Sequence, residues 1–220
     1  MIGMTAPLPE RSAAREALAE IGRRFYGCGW VMGTSGNLSA VVSTRPLRLL
    51  ITPSGAHKGR LQPADLLEID RRGRVASGRG RASAETRLHL AVVDERGARA
   101  VLHTHSVWAT ILSRLHLDAG GLSVSGYEML KGLDGVGTHE HREWIPILAN
   151  DQDLSRLARR MRAALRRHPG AHGLLLAGHG LYTWGDSTTA AERHVEVFEF
   201  LFDVIGRTME ARHGTRENPR

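Results

Sequence analysis

Residues 84–117 read AETRLHLAVVDERGARAVLHTHSVWATILSRLHL, and they hold a short apolar run between two segments in which apolar residues recur at helical spacing. That spacing predicts one helix over residues 84–95 and another over 106–117. Between them, residues 100–105 are short, apolar and rich in β-forming side chains, which is typical of a buried strand. A helix, a strand and a helix in this order indicate an α/β fold.

The same alternation extends along the chain in both directions. We predict further helices over 9–26, 151–168 and 187–212, and further strands over 38–42, 47–52, 144–148 and 174–177. Because helices and short strands alternate over the whole length, we predict one α/β domain spanning residues 1–212 and not two domains. The polar residues 213–220 are expected to form a disordered tail.

The chain has 220 residues and a formal net charge of +7, which first suggests a nucleic-acid partner. The distribution of the basic residues opposes that reading. Lys58 and Lys131 are the only lysines, the arginines are scattered in short clusters, and the few aromatic residues (5%) do not alternate with them. In the predicted helix over 151–168 the arginines mostly avoid the apolar stripe, as on a solvated surface. We therefore expect no nucleic-acid partner.

Hydropathy and cysteine content indicate the cellular compartment of the protein. The longest strongly apolar run, GLLLAG at 173–178, is far shorter than the roughly 18 residues that cross a bilayer. Residues 1–7 show no basic region followed by an apolar run, as a signal peptide would. The single cysteine, Cys28, excludes an internal disulfide and fits a reducing compartment. We expect a cytoplasmic protein that has no membrane partner.

Three of the twelve histidines have unusual positions. His103 and His105 lie two residues apart on a predicted strand, so both side chains point to the same face. His179 lies between two glycines directly after the predicted strand over 174–177. Three neutral imidazoles with open positions are typical of a catalytic divalent metal site, most simply zinc. Judged by spacing alone, buried histidines that only form hydrogen bonds remain an equal alternative.

Two turns rich in glycine and hydroxyl groups suggest an anion site. GTSGNLS at 33–39 precedes one strand and TPSG at 52–55 follows the next, with Lys58 three residues further on. Exposed backbone N–H groups in such turns can hold an oxyanion, although the same residues also favour ordinary turns. Ser83 is placed to cap the helix over 84–95, and Glu85 near its start fits a partner of the helix dipole.

Five motifs in this order resemble the class II aldolase/adducin-type family, and the resemblance covers about residues 13–206. The motifs are GTSGNLS at 33–39, TPSG at 52–55, SAE at 83–85, HTH at 103–105 and GHG at 178–180. Enzymes of this family bind zinc through three histidines and act on phosphorylated sugars. The resemblance therefore implies one zinc ion per subunit on His103, His105 and His179, and a small phosphorylated ketose as substrate.

The resemblance also implies a fold and an assembly. The expected fold is a single-domain α/β/α layer structure with a central, largely antiparallel sheet, and the expected assembly is a homotetramer with sites near subunit contacts. The residues that match the phosphate-binding positions are Thr34, Gly36, Asn37, Ser54, Gly55, Lys58 and Ser83.

Two carboxylates match different branches of the family. Segments 126–133 and 146–153 resemble a sugar-phosphate dehydratase, in which Glu128 matches the acid/base carboxylate. Glu85 matches the catalytic carboxylate of the aldolases, although Ala84 replaces the second serine of their Ser-Ser-Glu motif. We expect a zinc-dependent dehydratase, that is, a lyase, with Glu128 as its acid/base group. A sugar-phosphate aldolase or epimerase that uses Glu85 is the alternative, and an adducin-type scaffold without activity is a third interpretation.

Other histidines receive no role in the chemistry. His139 and His141 lie two apart in a polar loop, and the sequence offers no third partner for a metal, so we do not assign them to one. His89 follows Glu85 by four residues and is expected to support the site from the same helix face. His194 lies on the apolar stripe of the last helix and is expected to be a core histidine with hydrogen-bond partners.

Overall fold

The computed structural model of this chain describes residues 8–216, with side chains up to residue 212. Its helices are α1 Arg11–Gly27, α2 Thr86–Arg96, α3 Val107–Leu115, α4 Leu154–Arg167 and α5 Thr188–Arg216. Its strands are β1 Asn37–Thr44, β2 Leu47–Ile51, β3 Leu67–Asp70, β4 Val75–Ser77, β5 Ala100–Thr104, β6 Gly121–Val124, β7 Glu143–Leu148, β8 Gly173–Leu176 and β9 Gly180–Gly185. Short 3₁₀ helices lie at Lys58–Arg60, Pro63–Asp65 and Glu128–Gly132.

Every helix and strand predicted from the sequence is present, and four strands were not predicted. Strands β3, β4 and β6 have three or four residues each and little apolar periodicity, and β9 begins and ends with glycine. The last helix overlaps part of the predicted tail. Helix α5 continues to Arg216, so its backbone includes the first half of residues 213–220, while residues 217–220 lie outside the described part of the chain.

The strands form one sheet in the order β4-β3-β2-β1-β5-β9-β8-β7-β6. All neighbouring pairs are antiparallel except β7 and β8, which are parallel. This order confirms the expected central, largely antiparallel sheet. Since β5 and β8 both pair antiparallel with β9, they point in the same direction, and their carboxyl ends lie at the same edge of the sheet.

Helices cover both faces of this sheet, so the α/β/α layering is confirmed. Apolar residues of α2 and α4 pack in one cluster, to which β8 contributes Leu174 and Leu176. On the other face, α3 and α5 pack against Leu175 of the same strand, and α1 packs against β1 and β2. Alternation of Leu174, Leu175 and Leu176 between the two faces follows from the period of two residues in a strand.

The arginines of α4 lie outside its buried stripe, as predicted, and several form ion pairs. Arg162 contacts Asp94 and Glu95 of α2, and Arg156 contacts Asp151. Within residues 8–216, no helix combines the length and the apolar character that crossing a membrane would require.

Candidate metal and phosphate site

The three predicted histidines meet at the edge where β5 and β8 end. His103 is in β5, His105 is the first residue after it, and His179 lies in the turn between β8 and β9. The Nε2 atom of His103 is 2.8 Å from Nε2 of His105 and 3.3 Å from Nε2 of His179. Three ring nitrogens from two distant parts of the chain thus converge on one point, with spacings that suit a single metal ion.

Hydrogen bonding and burial fix the state of these imidazoles. Nδ1 of His103 is 2.8 Å from the carbonyl oxygen of Leu181, which can only accept, so Nδ1 carries the proton and Nε2 keeps its lone pair. The Tyr182 ring stacks on His103 with 3.9 Å between ring centroids. Burial holds the pKa of His103 well below its usual value and lowers the pKa of His105 to about 4. Both rings are therefore neutral at pH 7, as a metal ligand must be.

Glu85 lies next to this group, and its side chain makes no hydrogen bond to the start of α2. One of its carboxylate oxygens is 3.0 Å from Nε2 of His179 and 3.8 Å from Nε2 of His103. The other accepts a hydrogen bond from the Asn37 side-chain amide. Burial acts to raise the pKa of Glu85, but the hydrogen bonds from His179 and Asn37 outweigh it and hold the pKa well below its usual range. The carboxylate is therefore ionised at the edge of the site.

A chain of buried side chains holds Glu85 in place. Asn37 bonds Glu85 through its amide and contacts Nε2 of His89 through its oxygen. Nδ1 of His89 is in turn 2.7 Å from the Ser39 hydroxyl. Burial lowers the pKa of His89 to about 4, so this imidazole is neutral. His89 supports the site through Asn37, a link that its spacing from Glu85 did not reveal.

All seven residues predicted to bind phosphate line one cavity of about 310 Å³ beside the histidines, together with Glu85 and His105. Lys58 is 1% exposed, and its Nζ donates to the carbonyl oxygens of Thr34 and Ala56 at 2.9 and 3.0 Å. An ammonium has three donors, so one remains for an anion. Burial lowers the pKa of Lys58 to about 8.

The glycine-rich turn before β1 packs directly against the strand that carries His103. Gly36 has a φ of +69°, and a Cβ added there would lie 2.6 Å from the backbone oxygen of His103. Only glycine avoids both the strained φ and this clash. The close approach places the predicted phosphate turn beside the histidines.

Glu128 does not lie with these residues in the single chain. It is on the 3₁₀ helix Glu128–Gly132, with two thirds of its side chain exposed. Its carboxylate pairs with the Lys131 ammonium, and one of its oxygens is 3.2 Å from Nδ1 of His139. Glu128 is not part of the lining of the 310 Å³ cavity.

One buried carboxylate behind the histidines was missed in the sequence. Glu199 of α5 is 5% exposed, and its Oε1 accepts a hydrogen bond of 2.7 Å from Thr104, the residue between His103 and His105. Burial raises the pKa of Glu199 to about 7. A signal was available, since Glu199 lies four residues after Val195 and three before Phe202, at the spacing of the helix face that enters the core. His194, on the same helix, is a buried histidine bonded to the Trp184 carbonyl oxygen at 2.8 Å, as expected.

A second histidine cluster lies elsewhere in the fold. His141, Glu143 and His172 each offer one ligand atom, and these atoms lie within 4.8 Å of one another. The sequence pair His139 and His141 is therefore divided, with His139 near Glu128 and His141 near Glu143.

Known proteins resemble this chain over most of its length. The family described as Class II Aldolase and Adducin N-terminal domain matches residues 16–205. The methylthioribulose-1-phosphate dehydratase of Methylococcus capsulatus is 48% identical over 191 residues, which are 86% of this chain and 91% of that protein. The dehydratase of the same name from Azotobacter vinelandii is 47% identical, over 89% of this chain and 94% of that protein.

A solved structure agrees with these sequence relatives. The L-fuculose-1-phosphate aldolase of Thermus thermophilus superposes with a TM-score of 0.74 at 28% identity, over 92% of this chain and 98% of that one. The family match, the relatives and the shared fold all include the strands and turns that carry the histidines. The chain belongs to the class II aldolase and adducin N-terminal domain family.

Proposed function

We propose that this chain is a lyase that dehydrates 5-methylthioribulose 1-phosphate to 2,3-diketo-5-methylthiopentyl 1-phosphate, a step of methionine salvage. Support for the substrate comes from the relatives named methylthioribulose-1-phosphate dehydratase, which match over most of both chains. One observation supports the type of reaction. Three converging imidazoles lie next to a cavity that is lined by a buried lysine and two glycine-rich turns. Such an arrangement suits a metal-assisted reaction on a phosphorylated ketose.

A divalent metal fits the donor set, and we propose that it is one zinc ion per subunit, held by His103, His105 and His179. The fit rests on three Nε2 atoms that face one another and on the neutral rings of His103 and His105, with the proton of His103 directed to Leu181. When bound, the ion supplies a Lewis acid that polarises the ketone and stabilises negative charge on the substrate oxygens.

The cavity beside the histidines is proposed to hold the substrate phosphate. Lys58 would supply a positive charge, and the turns that contain Thr34, Gly36, Asn37, Ser54 and Gly55 would supply donors, together with Ser83. A phosphate held there leaves the sugar carbons directed toward the histidines, because His105 lines the same cavity. Fixing both ends of the substrate restricts the geometry of the reacting carbons.

Glu128 is proposed as the group that moves protons. Glu128 takes the proton from C3 to give an enediolate, and it returns a proton to the C4 hydroxyl, which departs as water. The enol that remains relaxes to the 2,3-diketone. General acid–base help of this kind is typically worth about 10²–10⁴ in rate. Since Glu128 is exposed and away from the cavity of its own chain, we propose that it serves the site of a neighbouring subunit in a homotetramer.

Exposed apolar side chains near this edge of the sheet support such an assembly. Met32, Val107 and Leu115 are each more than half exposed; Val107 lies two residues after His105, and Leu115 ends the helix that Val107 begins. Subunit contacts commonly cover apolar side chains of this kind. We also propose a cytoplasmic location. We propose one catalytic domain, because a single sheet joins elements from Asn37 to Gly185.

The reaction is tested by incubating zinc-loaded protein with methylthioribulose 1-phosphate and determining the mass of the product. We expect the loss of one water. Release of a three-carbon phosphate would instead identify an aldolase, and an unchanged mass would contradict both.

The role of Glu128 across a subunit contact has its own test. Chains with Glu128→Gln and chains with His105→Ala are inactive separately if both residues are needed. When they are coexpressed, some sites combine intact histidines with an intact Glu128 from the neighbour, so we expect activity to return. No recovery in mixed oligomers of confirmed composition would place Glu128 outside the neighbouring site.

The second candidate function is an aldolase, and the position of Glu85 favours it. This carboxylate lies 3.0 Å from His179 within the same chain, whereas Glu128 does not. A Glu85→Gln variant that keeps dehydration but abolishes any carbon–carbon cleavage would separate the two activities.

A further inference from the structure

His141, Glu143 and His172 lie at the edge of the sheet opposite the first histidine group. Glu143 begins β7, and His172 directly precedes β8. Because β7 and β8 are parallel neighbours, their amino ends lie side by side. His172 and His179 flank the two ends of β8, so the two histidine groups are separated by the length of that strand.

Contacts in this second cluster centre on one carboxylate. Oε2 of Glu143 is 2.9 Å from Nε2 of His141 and 3.0 Å from Nδ1 of His172. Oε1 of the same group accepts a hydrogen bond of 2.9 Å from the backbone N–H of His172. The Glu143 side chain is 1% exposed. One oxygen is therefore fixed by the backbone, and the other faces two ring nitrogens in a nearly dry environment.

The proton arrangement on His172 requires a positive charge at this point. Its Nε2 is 2.8 Å from the carbonyl oxygen of Asp134, which can only accept, so Nε2 carries a proton. In a neutral ring the lone pair of Nδ1 would then face the Glu143 carboxylate, and two acceptors would oppose each other. Either a second proton or a cation must lie between Nδ1 and Oε2.

We propose that the cation is a divalent metal ion of the zinc type, bound by His141 Nε2, Glu143 Oε2 and His172 Nδ1 with water as a further ligand. Two imidazoles and one carboxylate are a donor set that Zn²⁺ uses in proteins. A ligand histidine commonly donates its other N–H to a carbonyl, as His172 does to Asp134. His141 is 30% exposed, which gives an ion a path from solvent.

The position of this site indicates a structural role. Residues 125–142 connect β6 to β7 and carry Glu128, Asp134 and His141. The ion would tie His141, at the end of this connection, to His172 before β8, and His172 already holds the Asp134 carbonyl oxygen. The backbone N–H of Asp134 also donates to Nε2 of His194 at 3.0 Å. A bound ion would thus fix the path of the segment that presents Glu128.

The test is a metal count on the full-length chain, loaded with Zn²⁺ and passed through a weak chelator. We expect two zinc ions per chain in the unmodified protein and one in His105→Ala, which lacks only the first site. In the His105→Ala background, adding Glu143→Gln or His141→Gln should lower the count to zero. His141→Gln changes a partly exposed side chain, so it serves if Glu143→Gln does not fold.

His139→Gln is the matched control, because His139 is two residues from His141 in the same segment and belongs to neither cluster. It should leave the count unchanged.

Replacing zinc by Co²⁺ gives a second readout, since His141→Gln should remove one of two sets of visible absorption bands. If His105→Ala binds no zinc, or if His141→Gln leaves the count at its starting value, the second cluster is an imidazolium–carboxylate pair and the proposal is wrong. If only the first site fails to bind zinc, the unmodified protein holds one ion, and His141→Gln removes it.

Discussion

The two histidine groups at opposite edges of the sheet use similar donors in different surroundings. At the carboxyl edge, three imidazoles face each other beside a 310 Å³ cavity, and Glu85 lies at the margin. At the amino edge, the Glu143 carboxylate lies at the centre, 1% exposed, and its second oxygen is bound by the backbone. The first group borders a cavity, whereas the second surrounds a buried carboxylate that two elements of the fold hold in place. This difference supports the proposals of substrate chemistry at the first group and of a structural role for the second.

The largest effect is expected from His105→Ala at the carboxyl edge. Loss of one of three ligands should release the first metal ion and lower turnover of methylthioribulose 1-phosphate by at least about 10³-fold, as for loss of a main electrostatic stabiliser. Turnover and metal content measured on the same sample check this. Full activity with one ion lost would show that the ion in the first group does not serve the reaction.

Glu128→Gln should lower turnover by about 10²–10⁴-fold while the zinc content and fold stay unchanged. The amide cannot accept the C3 proton, but Glu128 has no contact with either histidine group that would disturb metal binding. Steady-state kinetics with zinc analysis provide the measurement. Lys131→Gln is the control, because it removes the neighbouring positive charge and keeps the Glu128 carboxylate. It should change turnover little.

Lys58→Met should raise KM by roughly 10–100-fold, because a hydrogen bond to a charged group is worth about 1.5–3 kcal/mol. The pKa of Lys58 is about 8, so its charge is present below pH 8 and is lost as the pH rises through that value. We therefore expect kcat/KM of the unmodified enzyme to decline above pH 8. Lys58→Arg should move that decline to higher pH, and a decline that stays in place would exclude Lys58 as its source.

The smallest effect is expected at the amino edge. His141→Gln should lower the free energy of unfolding by roughly 1–2 kcal/mol, which corresponds to a few degrees in Tm. The physical reason is the loss of one partner of the buried Glu143 carboxylate. Thermal unfolding of zinc-loaded protein measures it, with His139→Gln as the control. An equal shift of Tm in both variants would mean that the loss of stability comes from changing this loop, and not from losing the contact between His141 and Glu143.

Local pattern predicted most of the helices and strands, together with the first histidine group. His103 and His105 are two residues apart on one strand, and the glycines around His179 mark a turn after an apolar run. The strands that escaped prediction, such as β4 and β6, are too short for a period to be visible. Their existence depends on pairing with neighbours, which local sequence does not encode.

Other features depended on contacts between distant residues. Glu143 and His172 are 29 residues apart and meet only because β7 and β8 are parallel neighbours. Glu85 turns toward His179 because Asn37, from β1, holds its carboxylate. The exposed position of Glu128 likewise follows from the packing of the segment between β6 and β7.

The sequence by itself determined the alternation of helices and strands, the absence of a long apolar segment, and the residue types of the proposed metal and phosphate positions. These follow from periodicity and from donors close together in the chain. Only the tertiary structure decided which strands are neighbours, and therefore which donors share an edge. It divided His139 from His141, gave His141 the partners Glu143 and His172, and left Glu128 outside the cavity of its own chain. The reason is physical, since strand pairing brings together residues that no spacing along the chain relates.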